Sequence, residues 1–186
     1  MRKGSNAALF WPILLVILVA DVITKAMAER MLLPRGIPHE VLGNALRFTL
    51  VYNPGAAFGL HLGPQSRWIF TVLTIVALVI LGRLYQSTPA GNRPRAMALA
   101  LVCAGAVGNL IDRLRSFFGV VDFIDVGIGD SRWPTFNVAD MAVSVGAAVL
   151  AWVLWQEDQE QQTVAPAVGT VAVPVTASGG EPGDLV

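Results

Sequence analysis

Two aspartates carry the sharpest chemical signal in this chain. Asp122 stands in Val120-Val121-Asp122-Phe123-Ile124-Asp125 and Asp140 in Phe136-Asn137-Val138-Ala139-Asp140, bracketing a short segment read as a loop between hydrophobic stretches. A carboxylate beside an apolar helix is costly and is kept mainly where it acts. Two carboxylates within a few ångströms share one proton, because like charges in a poor solvent do not both ionise. The ionised member can then take a proton from water while the protonated one polarises a carbonyl. That is acid–base chemistry for peptide hydrolysis, and it needs no cofactor. On spacing alone a plainer reading stays open, with Asp140 a favourable charge at the positive end of a helix dipole and Asp122 a loop acid. Asp125, three residues beyond Asp122, is a rival for the same role.

Other polar residues stand where they can orient such a pair. Asn137 precedes Asp140 by three and shares its helical face. Asn109 and Asp112 are likewise three apart in Gly108-Asn109-Leu110-Ile111-Asp112-Arg113, and Arg113 can reach an acidic partner or the lipid interface. Asn109 either orients a carboxylate or bridges helices, the commoner use of such an Asn. Asp21 and Lys25 are four apart and can pair on one helix face, in a structural role or in direct contact with substrate or headgroup.

The elements that must position these residues are helices in lipid. The chain is 54% hydrophobic and 14% charged, with a mean hydropathy of +0.60. A soluble domain carries about 25% charged residues, so an integral membrane protein is implied. Four apolar stretches reach the roughly 20 residues needed to cross a bilayer. They run over about 7–28, 67–85, 95–111 and 137–155, with Trp68, Tyr85, Trp152 and Trp155 as interfacial anchors. Arg2, Lys3, the first apolar core and Ala26-Met27-Ala28 imitate a secretory signal peptide, but Asp21 and Lys25 interrupt it just before the cut. Basic residues near the span ends lean only weakly towards an inside N-terminus.

Between the first two spans, residues 44–64 read as extracytoplasmic strands. Leu46–Tyr52 is β-branched and aromatic, Asn53-Pro54-Gly55 signals a turn, and Ala56–Leu62 is expected to return as a second strand. Such a sheet would hold an extended peptide by its edge or form a plain exposed hairpin. Residues 156–186 read as a polar, then low-complexity, disordered tail.

Other chemistries fail on inventory. The single cysteine, Cys103, lies within a span and supplies no disulfide or multi-cysteine metal site, and His39 and His61 are not at ligand spacing. There is no G-x-S-x-G, no H-E-x-x-H and no Gly-rich phosphate loop. Zero formal net charge without a basic tract excludes a nucleic-acid surface. The competing class is a small proton-coupled transporter or channel, with Asp21, Lys25, Asp112 and Asp140 as a relay. Acids gathered at the span ends suit surface chemistry better. A structural scaffold leaves the paired carboxylates without a purpose.

Five ordered blocks resemble lipoprotein signal peptidase, the bacterial signal peptidase II family. They are Asp21-Val22-Ile23-Thr24-Lys25, Asn53-Pro54-Gly55-Ala56-Ala57-Phe58-Gly59, Gly108-Asn109-Leu110-Ile111-Asp112-Arg113, Val121-Asp122-Phe123 and Phe136-Asn137-Val138-Ala139-Asp140. The resemblance covers about residues 10–155. It implies an all-α polytopic membrane protein, four transmembrane helices with a small extracytoplasmic β-cradle, in the bacterial inner membrane with both termini cytoplasmic. It implies an aspartyl endopeptidase, without metal or cofactor, that cuts diacylglyceryl-modified prolipoproteins before the lipidated cysteine. Family catalytic positions fall on Asp122 and Asp140. Positions that shape the pocket or hold substrate fall on Asn53, Gly55, Asn109, Asp112, Arg113, Asn137 and Ala139, with Asp21 and Lys25 structural or at the headgroup. The expected partners are the prolipoproteins and membrane lipids, with the enzyme a monomer. A periplasmic helix is expected between Arg113 and Asn137 or close to the cradle. The tail is longer and more acidic than the family leads one to expect.

Overall fold

Each long apolar stretch becomes a helix because lipid offers its backbone no hydrogen-bond partner. In the computed structural model, which describes residues 6–55, 63 and 65–164, these are α1 (Ala7–Met31), α2 (Ser66–Gln86), α3 (Arg93–Arg115) and α4 (Val138–Val164). All four are long and apolar enough to cross a membrane. Bounds differ from expectation by a few residues except at α4. That helix continues through the polar run to Val164, so residues 156–164 are helix and not disordered tail.

α3 is the hub, packing against α1, α2 and α4. Its inner face is built from small residues, with Ala96, Ala100, Ala104, Gly105 and Gly108 all buried. Small side chains let backbones approach closely, which is how helices gain packing in a solvent as apolar as themselves. A Cβ at Gly105 would strike the Ala139 carbonyl of α4 and lie 2.7 Å from Val143 Cγ2. Asn92 caps α3, its Oδ1 accepting from Arg95 N at 3.2 Å. The outward faces of α1 and α2 expose Leu15, Val19, Val72, Val79 and Ile80, as lipid contact requires.

One end of the bundle joins the start of α1, the α2–α3 turn and the later part of α4. Asn6 Nδ2 donates to Pro89 O at 2.9 Å and Arg95 Nη1 lies 2.9 Å from Glu157 Oε2. The opposite end carries a four-stranded antiparallel sheet in the order β1-β2-β3-β4. Its strands are β1 (Pro38–Leu42), β2 (Leu46–Asn53), β3 (Val120–Ile128) and β4 (Ser131–Arg132).

The sheet corrects two expectations. Asp122 lies on strand β3 rather than in a loop, opposite Val51 of β2. Among the described residues, β3 and β4 occupy the chain between α3 and α4 and no helix lies there. The anticipated return strand Ala56–Leu62 falls outside the described residues. β2 carries one extra residue between Phe48 and Val51 relative to β3. A bulge of this kind re-aims side chains locally, and both Thr49 and Leu50 beside it are buried.

Candidate active site

The first turn of α4 starts at Asn137, which acts as its cap. Asp140 N donates to Asn137 Oδ1 at 2.9 Å and Asn137 N donates to Asp140 Oδ2 at 3.2 Å. This reciprocal exchange satisfies two backbone donors at once, as in a capping box. The amide nitrogen of the same side chain donates to Asp122 Oδ1 at 2.6 Å, to Asn109 Oδ1 at 3.2 Å and to Val121 O at 3.2 Å. Asn137 is fully buried. Its single amide therefore ties β3, α3 and α4 together, and amide and backbone N–H between them bridge the two carboxylates.

Asp122 is 2% exposed. Burial first, and then the charge of Asp140, push its carboxyl up to about 7, against hydrogen bonds from Asn137 and Asn53 and the charge of Lys25. Asn53 Oδ1 already accepts from Gly55 N at 3.0 Å, which leaves the side-chain NH2 for Asp122. Gly55 permits that turn: its φ is +114°, and a Cβ there would lie 2.9 Å from Phe70 Cδ2. Asp140, half-buried, accepts from Asn109 Nδ2 at 2.7 Å on its other oxygen.

Beneath the pair lies a buried ionic lattice. Lys25 Nζ is 2.8 Å from Asp21 Oδ2, 2.9 Å from Asp112 Oδ2 and 2.9 Å from Asn109 Oδ1. Three acceptor oxygens thus lie within 2.9 Å of one ammonium. Asp21 Oδ1 accepts from Ala139 N at 2.9 Å, so α1 also caps α4. Asp112 Oδ2 accepts from Val121 N at 3.3 Å, and its Oδ1 pairs with Arg115 Nε at 3.0 Å. Asp21, Lys25, Asp112 and Arg115 together carry no net charge, which offsets much of their desolvation. Ala139 and Gly108 must be small: a Cβ on Gly108 would lie 3.3 Å from Ala139 Cβ and collide with the Asp21 carboxylate. Arg113 Nη1 donates to Asn109 O at 3.2 Å. Its guanidinium lies 5.9 Å from the Phe70 ring centroid and close enough to Asp140, Asp122 and Asp112 to feel their charge.

All nine positions named around the two aspartates thus converge on one end of the bundle. Asp125 does not join them. Successive strand residues alternate in face, and Asp125 points into a separate clasp. It accepts from Arg47 Nε and Thr49 Oγ1, each at 3.0 Å, and from Arg132 Nη2 at 2.6 Å. Burial tends to raise its carboxyl, but the hydrogen bonds from Arg132, Arg47 and Thr49 hold it below the usual carboxylate range. A carboxylate saturated by two guanidinium groups is a poor base. Sequence reading missed this clasp, and also Glu29 and Arg115, which pair at 3.0 Å beside the lattice.

A four-span bundle with two interacting carboxylates at its sheet-bearing end has the architecture of an aspartyl endopeptidase set in a membrane. The model of the family described as Signal peptidase (SPase) II matches residues 13–156. The chain is 44% identical over 142 residues to the lipoprotein signal peptidase of Desulforapulum autotrophicum, covering 74% of this chain and 85% of that one. It is 41% identical over 148 residues to that of Moorella thermoacetica, covering 79% and 93%. A bacterial membrane enzyme structure determined by the in meso method at 2.3 Å superposes with a TM-score of 0.76 at 30% identity, covering 86% of this chain and 95% of that one.

The chain belongs to the signal peptidase II family, and it is an aspartic endopeptidase of a multi-pass bacterial membrane protein class. The transporter alternative finds no support among these relatives.

Proposed function

We propose that the enzyme removes the signal peptide from diacylglyceryl-modified prolipoproteins, cutting before the lipidated cysteine, with Asp122 and Asp140 as its catalytic dyad. The observation that carries this reading is the Asn137 bridge, which reaches Asp122 at 2.6 Å through its amide and Asp140 at 3.2 Å through its backbone. The relatives named lipoprotein signal peptidase support the substrate class.

Asp122, the more buried acid with its carboxyl raised to about 7, carries the shared proton. Asp140, held by donors on both oxygens, is the base of the pair. Asp140 takes a proton from water as the water oxygen attacks the scissile carbonyl carbon, and Asp122 gives its proton to the carbonyl oxygen. The resulting diol collapses: the C–N bond breaks, Asp140 protonates the departing cysteine nitrogen, and a diol proton returns to Asp122. No cofactor takes part. Asn53, Asn109 and Asn137 hold the carboxylates, Gly55 and Ala139 keep room for close packing, and Arg113 and Asp112 shape the pocket floor. Asp21 and Lys25 fix α1 beneath it.

The site lies at the periplasmic face of the inner membrane, with both termini cytoplasmic and the enzyme a monomer. A diacylated substrate stays in the bilayer, because each buried methylene contributes about 0.8 kcal/mol to its anchoring. The dyad must therefore meet it at the membrane edge, where the sheet-bearing end of the bundle lies. The test is cleavage of a diacylglyceryl-modified prolipoprotein by purified protein in detergent, beside Asp122→Asn and Asp140→Asn. Cutting before the modified cysteine by wild type alone is expected. A folded Asp122→Asn or Asp140→Asn protein that still cuts at the wild-type rate would overturn the dyad.

A further inference from the structure

Arg35 lies outside the catalytic reading and is held in an unusual way. Its guanidinium sits 4.2 Å from the Tyr52 ring centroid and 4.2 Å from that of Phe118. The two rings are 5.4 Å apart and tilted by 60°, so they form a notch that holds the cation of a residue that stays exposed. Cation–π contact orients the group without consuming its in-plane donors. The nearby Glu29 has its own partners, accepting from Tyr52 Oη at 3.0 Å and from Arg115 Nη2 at 3.0 Å, an arginine it shares with Asp112.

Between these side chains opens a cleft of about 360 Å³, lined by Glu29, Arg35, Tyr52, Arg115, Ser116 and the two phenylalanines that follow. A second cleft of about 420 Å³ shares Arg35, Tyr52 and Phe118 and is otherwise lined by Gly36, Leu50, Val51 and Pro54. A charged space thus adjoins an apolar one. Both lie where α3 leaves its span. There Phe117 is 91% exposed and Phe118 56% exposed, and Arg67 lies 4.7 Å from the Phe117 ring while donating to Ser116 O at 2.8 Å. Aromatic and arginine residues at a span end mark the headgroup level, and the guanidinium fork matches a phosphate.

We infer that the Arg35–Arg115 cleft is a headgroup site for an anionic phospholipid of the surrounding bilayer, with Phe117 and Phe118 at the acyl boundary. The site is separate from the dyad, and its occupancy is read without any cleavage. The full chain in detergent is titrated with phosphatidylglycerol or phosphatidylcholine, and retained lipid is counted by native mass spectrometry. Wild type is expected to retain phosphatidylglycerol in preference, and Arg35→Gln to weaken that retention by about fivefold, the share of one basic residue at a membrane surface. Arg35 is exposed, so its thermal melt is expected to stay at the wild-type value, and Arg83→Gln at the far end of α2 is expected to retain lipid as wild type does. Equal retention of the two lipids by wild type, or undiminished retention by Arg35→Gln, overturns the site. Displacement of the lipid by excess inorganic phosphate overturns the lipid as its occupant.

Discussion

Asn137 and Asp140 cap one another across the first turn of α4, at 2.9 Å and 3.2 Å, while the Asn137 amide reaches Asp122 at 2.6 Å. One residue therefore sets where the helix begins and how far apart the two carboxylates stand. Helix initiation and site geometry are the same event here.

Separating those two roles gives the first prediction. Asn137→Ala is expected to lose about 1 kcal/mol of cap stability and about 1–3 kcal/mol from the stranded partners of its amide. Cleavage is expected to fall by about a hundredfold, the cost of a misplaced reacting group. Asn137→Ser restores the cap but is too short for Asp122. It is expected to regain part of the melting temperature and none of the rate. Thermal melts in detergent beside single-turnover cleavage check both.

The pH dependence follows from Asp122, whose carboxyl is raised from 3.8 to about 7 by burial and by Asp140. If it supplies the shared proton, cleavage falls as pH rises through about 7. A folded-state value above the unfolded one means that its stabilising contribution is complete below about 3.8 and is lost as pH rises through about 7. Asp122→Asn removes this dependence, so its melting temperature is expected to exceed wild type at pH 8 and to approach it at pH 4. The full span is on the order of 4 kcal/mol. Melts of the two proteins across that range decide it.

Lys25 is ion-paired with Asp21 and Asp112, hydrogen-bonded to Asn109, and 1% exposed. Lys25→Met leaves the buried Asp21 without its cation and Asp112 with Arg115 alone, and is expected to destabilise by about 3–5 kcal/mol. Adding Asp21→Asn to that variant removes the stranded charge and is expected to recover part of the loss. A double variant no more stable than Lys25→Met would show that the lattice does not act as one unit. Because the group is buried, moderate salt should leave the effect unchanged.

The four spans were legible because a 20-residue apolar run has few other uses. The site residues were legible because charges in such runs are rare, and Asp21 pairs with Lys25 four residues on, as their spacing implied. Strand β3 was harder to see. Val120–Asp125 is buried on nearly every residue, so it lacks the alternation by which a half-buried strand announces itself. The extension of α4 to Val164 was hidden for the opposite reason: a polar run beyond the apolar stretch reads as solvated tail, although Glu157 pairs with Arg95 at 2.9 Å. Lys25 bridging to Asp112 spans α1 and α3, and no spacing within one helix could disclose it.

Asp125 provides the control for the dyad, since its sequence context rivals that of Asp122. Its partners Arg47 and Arg132 are 21% and 19% exposed at the side chain, so solvent weakens the clasp relative to the Lys25 lattice. Asp125→Asn is expected to destabilise by about 2 kcal/mol and to leave cleavage within about twofold of wild type, a range set by intact site geometry. Its carboxyl lies below the usual range in the folded protein, the reverse of Asp122. The clasp's contribution is therefore present above the unfolded value and lost as pH falls through the folded one. The gap in melting temperature between wild type and Asp125→Asn should be full at neutral pH and close in acid. A folded Asp125→Asn protein that no longer cleaves would move the catalytic assignment to the other face of β3.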